Sequence, residues 1–388
     1  MSIQEIQLAL RVGPVLPPLA SRDLMAALRG VEVTQTDSAP SGFQLTFHAE
    51  ALASAGESFD IVANWLLQPF NRVLVRVAVD GDAQTLIDGF ITHHQFVPSN
   101  GPEESQFVVT GEDVSVRLDL DEVSAEFPAA PDVALVEAIL DPWLLELGLV
   151  SVVIPPLTED VPWETVPQQE ESDRAMLQRL AQRNGNVFFV EPTGVLYVNA
   201  AYWGPPPRFR PLGGVLDLLG FSSVLTSFTG EYQALAPETY YGFVLETEVD
   251  PYEPVPILTL LSERLPPFVW DPALNPLSVE LGNVRRLLWR EEQMDPLRAE
   301  SEAQGRTDQS TDNVVTVNCE APTVAIGKVL RAPGTVGVRG AGSQYDGIYY
   351  LKQATHRIQL LADERWDYTQ ALVLTREGVG NLFPRLAA

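Results

Sequence analysis

Alternation of apolar and polar positions is sharpest between Arg72 and Leu118. Val73, Val75, Val77 and Val79 alternate with Leu74, Arg76 and Ala78, the period of two that a strand imposes. Asp80-Gly81 follows, and these residue types suit the backbone of a tight hairpin turn. A second β-branched and aromatic run spans 85–95, a third spans 106–110, and Gly111-Glu112-Asp113 then leads into Val114, Val116 and Leu118. The pattern predicts an antiparallel meander forming the wall of a small barrel. Upstream, residues 2–12 alternate until Pro14, Pro17 and Pro18 interrupt them, Ser21 or Asp23 caps a helical turn, and 42–50 alternates again. Residues 1–118 therefore read as a first tube-like β-barrel.

The period changes after Phe127. Val133, Val136, Ile139, Leu140, Leu144 and Leu147 recur at spacings of three and four, which predicts a helix ending at Gly148 and weakened or split at Pro142. A short strand at 150–154 precedes a Pro-, Glu- and Gln-rich stretch, 155–171, that reads as an exposed loop. Ser172 caps a second helix carrying Met176, Leu177, Leu180 and Ala181 on one stripe, and Asn184-Gly185 stops it. A hairpin is expected from 186–190 and 195–199, so 119–203 reads as an inserted α+β domain.

Residues 204–211 are stiff and Pro-rich, a linker whose continuation to 235 is expected to complete the first barrel. Strand-like runs follow at 224–231 and 239–249. The 250–280 stretch carries Pro251, Pro254, Pro256, Pro266, Pro267, Pro272 and Pro276, so it cannot form a sheet interior and reads as an excursion from the fold. Asp295-Pro296 opens a short helix, 295–304, with Arg298 and Glu302 spaced for an ion pair and Gly305 as its stop. Alternation returns at 313–319, 326–330, 335–340, 348–358 and 366–376, with turns at Ala332-Pro333-Gly334 and Asp346-Gly347. Residues 236–376 thus read as a second barrel and 377–388 as a tail. The fold class expected is β-rich α+β, with two tube-like antiparallel β-barrels and an inserted α+β domain.

Composition narrows the function. Among 388 residues, 52 Asp and Glu face 25 Lys and Arg, a net charge of −27, so the cationic footprint that nucleic acid requires is missing. The single cysteine, Cys319, sits beside apolar neighbours and reads as a small buried hydrophobe. The first residues lack the basic and apolar regions of a signal peptide, and no apolar run is long enough to insert in a membrane, so assembly in the cytoplasm is expected.

Candidate chemistry is sparse. His48, His93, His94 and His356 do not fall at metal-ligand spacing, and adjacent His93 and His94 point to opposite faces of a strand. The Gly213-Gly214 and Gly340-Ala341-Gly342 stretches lack the spacing of a nucleotide loop. Glu112-Asp113 and the Asp119–Glu122 acids crowd carboxylates as a glycosidase pair does, but capping acids at an exposed strand end explain them more simply. His356, beside Arg357, reads as structural or interfacial. No catalytic, metal or cofactor set is expected, although a β-rich hydrolase or a binding module for cell-surface polymers remains the alternative.

Three segments together are more specific: 108–122 (VVTGEDVSVRLDLDE), 171–198 (ESDRAMLQRLAQRNGNVFFVEPTGVLYV), and 332–358 (APGTVGVRGAGSQYDGIYYLKQATHRI) with Arg376 beyond it. In that order they resemble the late control D family of phage tail proteins, the baseplate hub of contractile tails. They are also similar to the N-terminal part of VgrG-type spikes of type VI secretion and to hubs of extracellular contractile injection systems. Gly111, Asp113, Leu118, Ser172, Asp173, Leu177, Leu180, Gly334, Gly340, Gly347, Tyr349, His356 and Arg376 carry the match as structural positions. The resemblance implies a homotrimer whose six barrels form a pseudo-sixfold ring. It implies an inner tube protein above, a separate trimeric spike below and surrounding baseplate proteins. The chain would be a symmetry adapter in a phage-like particle and not an enzyme.

Overall fold

The computed structural model describes residues 6–49, 61–99, 105–127, 130–155, 168–219, 223–246, 253–269, 285–290 and 295–380. Residues 156–167 of the expected loop, 250–252 and 270–280 of the proline-rich stretch, and 381–388 of the tail lie outside the described residues.

The N-terminal part runs β1 (Ile6–Gly13), α1 (Arg22–Ala27), β2 (Leu28–Thr36), β3 (Gly42–His48), β4 (Arg72–Val79), β5 (Asp82–Val97) and β6 (Gln106–Asp113). The strands pair in the order β1-β4-β5-β6-β3-β2, all antiparallel. The predicted turn closes β4 onto β5: Asp80 and Gly81 take φ of 50° and 86°, and Val79 faces Asp82. Val73, Val75, Val77 and Val79 are all buried, in a cluster with Leu10, Val12, Leu45, Phe47, Phe107 and Val109. Each such side chain stabilises by about 1.5–3 kcal/mol relative to exposure, so alternation here is an energetic commitment to one register.

After a 3-10 turn at Val114–Asp119 come β7 (Glu122–Glu126), α2 (Asp132–Leu147), β8 (Leu149–Val153), β9 (Gln168–Ser172), α3 (Asp173–Arg183), β10 (Val187–Pro192) and β11 (Asn199–Gly204). β8, β10 and β11 form one small sheet, and β7 pairs with β9. Pro142 does not split α2: Ala138, whose carbonyl it leaves without a partner, is exposed and open to water. Gly148 ends the helix at φ 68°. Leu177, Leu180, Leu118, Leu135 and Trp203 share a core that also takes in Phe90 of β5, so this segment packs directly on the sheet.

The remainder is β12 (Leu212–Asp217), β13 (Ser227–Tyr232), β14 (Glu238–Glu246), β15 (Glu253–Leu258), β16 (Arg285–Leu288), α4 (Pro296–Asp312), β17 (Val315–Pro322), α5 (Thr323–Ile326), β18 (Gly334–Arg339), β19 (Gly347–Leu360) and β20 (Trp366–Arg376). β19 pairs with β2, so both meanders belong to one sheet of order β1-β4-β5-β6-β3-β2-β19-β20-β17-β13, with β18 on β19 and β12 on β18. No closed sheet forms among the described strands; β1 and β13 are its ends. A separate cluster of Leu216, Val317, Val336, Val338, Tyr349 and Leu374 fills the C-terminal part.

Several expectations change; residues 195–198 and 327–330 are turns and irregular chain and not strands, and Gln168–Ser172, at the end of the expected loop, is β9. Residues 204–235 do not complete the first meander: β12 pairs with β18 and β13 with β17, because Leu216 and the partly buried Phe228 bury against the C-terminal core. The helix opened by Asp295 does not stop at Gly305 but runs to Asp312, with Arg298 Nε 3.2 Å from Glu302 Oε1. Gly305 instead lies flat against Gly185, where a Cβ on either would fall 2.6 Å from the other's backbone. Part of the proline-rich stretch is a strand: Pro254 and Pro256 sit in β15, an edge strand where missing donors are tolerated. Asp346-Gly347 is no tight hairpin, since the chain turns earlier, at Gly340 and Gly342, both at φ 88°.

Gly111→Ala tests the packing of β6. Its Cβ would strike the Phe90 carbonyl and the Phe43 ring. A loss of about 1–3 kcal/mol in urea unfolding is expected, whereas Gly42→Ala, whose Cβ meets nothing closer than 3.5 Å, should have a smaller effect.

Candidate assembly site

Seven of the thirteen motif positions converge where β6 leaves the sheet and α3 packs on the 3-10 turn. Asp113 is buried, accepting from the amides of Ser41 at 2.6 Å and Ser115 at 2.9 Å. Burial outweighs those hydrogen bonds and pushes its carboxyl up to about 6. It caps the turn as the sequence predicts, but from inside the protein and not from an exposed strand end. Beside it, Arg174 of α3 donates to Glu112 at 2.8 Å and pairs with Asp119. Ser172 caps α3 and donates to Asp119, while Asp173 accepts from Trp143 Nε1 and Gln169 Nε2, each at 2.8 Å. Leu118, Leu177 and Leu180 lie in the core beneath, and Gly111 permits the close approach of β5.

The other six lie in the C-terminal part. Gly340 and Gly347 hold φ of 88° and 142°, and a Cβ at Gly334 would stand 2.7 Å from the Arg331 carbonyl. The buried Arg376 guanidinium stacks 4.4 Å from the Tyr349 ring centroid and donates to the carbonyls of Asp346, Gly380 and Gln344. It clamps the 340–346 loop and the chain beyond β20. Tyr349 completes the clamp by donating to the Tyr345 carbonyl at 2.6 Å.

His356 stands on the seam between the two meanders, opposite Val33 in the β2–β19 ladder. Its Nε2 lies 3.3 Å from Gln35 Oε1, an acceptor, so Nε2 carries the proton; Nδ1 then accepts from the Tyr368 hydroxyl at 2.9 Å. Gln35 further accepts from the Ala332 amide at 3.1 Å and donates to the Leu86 carbonyl at 2.7 Å, so one glutamine ties four chain segments. Burial first, and the charge of Arg331 second, lower the His356 imidazole to about 3. It is a neutral structural histidine.

Sequence reasoning missed a set of buried arginines that lock the layers together. Arg72 grips Asp88 with Nε and Nη2 at 2.6 and 2.7 Å, and Asn199 of β11 donates to the same carboxylate at 3.0 Å. Arg264 grips Asp312 of α4 at 3.0 and 2.8 Å and donates to the Gly185 carbonyl. Arg208 bridges Asp312 at 3.1 Å and Glu377 at 2.9 Å. Burial alone would raise the Asp312 carboxyl, but Arg264 and Arg208 hold it below the usual range. These partners are far apart along the chain, and no local pattern marks them. Glu112, Asp113 and His356 are all engaged in structure, and among the described residues no group of three His, Cys, Asp or Glu side chains is placed to hold a metal ion. No helix of the described residues is long and apolar enough to cross a membrane, which says nothing of strands.

The histidine gives a pH test. Its folded-state pKa is depressed, so its contribution is fully present above the ordinary value of 6.5 and is lost as pH falls toward about 3. His356→Gln removes that dependence. The stability gap between wild type and variant should shrink by about 2 kcal/mol from pH 7.5 to pH 5, read by urea unfolding; a constant gap would contradict the assignment.

No protein-family model and no curated protein matches the sequence. Solved structures do. The tail protein from Neisseria meningitidis MC58 superposes with a TM-score of 0.63 at 12% identity, over 97% of this chain and 98% of that one. The 43 kDa tail protein of prophage MuSo2 from Shewanella oneidensis gives 0.61 at 14%, over 96% and 99%. A component of the E. coli type VI secretion system, described as similar to bacteriophage T4 tail proteins, gives 0.55 at 12%, over 97% and 80%. At such identities the likeness speaks for the fold, and it agrees with the resemblance read from the sequence: the chain has the fold of contractile-tail baseplate hubs, shared with phage tail proteins and a type VI secretion component.

Proposed function

We propose that the chain is the baseplate hub of a contractile phage-tail-like particle, a structural protein and not an enzyme. Three copies, each with two barrel-like units, form a pseudo-sixfold ring that seats a hexameric inner tube above and a separate trimeric spike below, inside surrounding baseplate proteins. One unit is 1–118; the other is 236–376 together with 204–235, and 119–203 is the domain inserted between them. Assembly in the cytoplasm follows from the same reading. The thirteen motif positions then act as scaffolding that holds the units in register.

The observation that carries this reading is the end-to-end match of both chains with whole tail proteins. The sheet supports it. Among the described residues, β13 pairs only with β17, and β1 is met on its outer side where Val12 N donates to the Pro18 carbonyl and Ala20 N to the Leu10 carbonyl. Open sheet ends invite pairing with another chain, and a closed ring removes that liability. A hydrolase reading has no observation in its favour: Glu112 is ion-paired, Asp113 accepts two amides, and His356 is sealed in the core.

Co-expression with the tube and spike proteins of the same particle, followed by native mass spectrometry, tests the proposal. Complexes containing three copies of this chain are expected. A chain that stays monomeric and binds neither protein in any combination would reject it.

A further inference from the structure

Among the described residues, the small sheet of order β15-β14-β16 is covered on one face. α4 packs on the inner face, where Ala299 and Ala303 meet Val244, Ile257 and Trp289. The strand register places the outward side chains in rows: Tyr241 beside Leu258 and Leu288, Phe243 beside Pro256. Phe243 is 62% exposed, and Leu258 and Leu288 are each 56% exposed. Single exposed apolar residues are ordinary, but cross-strand neighbours on one face make a patch of the kind that marks an interface. On the same face β16 carries Arg286 and, just beyond it, Arg290, with Arg286 stacked 5.5 Å from the Tyr241 ring centroid, while Arg285 alternates to the other face and pairs with Glu238. On a chain of net charge −27 this is a local concentration of cations, so the face fits a partner that is both apolar and acidic.

The chain itself carries such a face. Along the outer stripe of α2, Ala134, Glu137, Ala138, Asp141 and Leu145 are exposed. Leu145 is 94% exposed, almost as open as a side chain can be. Glu137 and Asp141 stand four residues apart on one helix face, a like-charge spacing that costs an isolated helix about 0.2–0.5 kcal/mol. The cations of Arg286 and Arg290 placed opposite would reverse the sign of that interaction. Two unlike faces, one apolar with arginines and one apolar with carboxylates, suit a head-to-tail contact, and head-to-tail contacts are what close a ring.

We propose that in the trimer the outer face of the β14–β16 sheet of one subunit docks on the outer stripe of α2 of the next, Phe243 and Leu288 against Leu144 and Leu145. The inference rests on the trimeric reading above and adds a second ring of contacts, separate from the ends of the large sheet. Cysteine cross-linking tests it, because the sole native cysteine, Cys319, is buried. Phe243→Cys and Leu145→Cys are made singly and together, and the chain is co-expressed with tube and spike proteins before a short bismaleimide is added. Co-expressed single variants should give a cross-linked pair, either single variant alone should give none, and the double variant should give a covalent trimer. A trimer by native mass without these cross-links overturns the contact and leaves the trimer standing. Self-cross-linking of Phe243→Cys alone, or its capture by the tube or spike protein, overturns it too. A monomer by native mass overturns contact and trimer together.

Discussion

The continuity of the main sheet hangs on a single ladder, β2 against β19. Residues 30–36 pair with 353–359 there, and the pairing joins two strands that lie more than three hundred residues apart in sequence. Loop-closure entropy makes such a ladder slow to form, so it needs contacts beyond its backbone hydrogen bonds. Gln35, His356 and Tyr368 supply them, each buried and each satisfied by the next. A partly satisfied network at that depth would cost more than an apolar core; a complete one fixes a single register. Ile358 and Tyr368 from the C-terminal part also enter the N-terminal core, so the two parts share side chains as well as strands.

Buried arginines extend the same logic to the outer layers. Breaking a buried ion pair by removing one partner costs about 3–5 kcal/mol, while replacing the whole pair by apolar groups is often neutral. The Arg72–Asp88–Asn199 and Arg264–Asp312–Arg208 sets are therefore better understood as devices for alignment than as sources of net stability. They fix how the α+β segment and α4 sit on the sheet.

Local structure was largely legible from the residues. Four alternating valines, the Asp80-Gly81 turn, the Ser172 cap and the stripe of Met176, Leu177 and Leu180 each act within a few residues, so periodicity and capping expose them. Strand partnership was not. Nothing in the run Leu212–Asp217 states that it pairs in parallel with Gly334–Arg339, because alternation reports a buried face and not a neighbour. Gly305 misled for a similar reason: a glycine reads as a helix stop, yet here it serves an approach to Gly185, a distant segment. Of the thirteen motif residues read from the sequence, seven meet at the β6–α3 junction and six lie in the C-terminal part; that division, like the arginines around them, emerges only in three dimensions.

Imaging of the particle is the sharpest test of the place proposed for this chain. An electron cryo-microscopy reconstruction of the assembled particle should show three copies of this chain at the junction of tube and spike, with β1 and β13 at the boundaries between barrel-like units. A reconstruction with the chain away from that junction, or in a copy number other than three around the axis, would rule out the proposed hub.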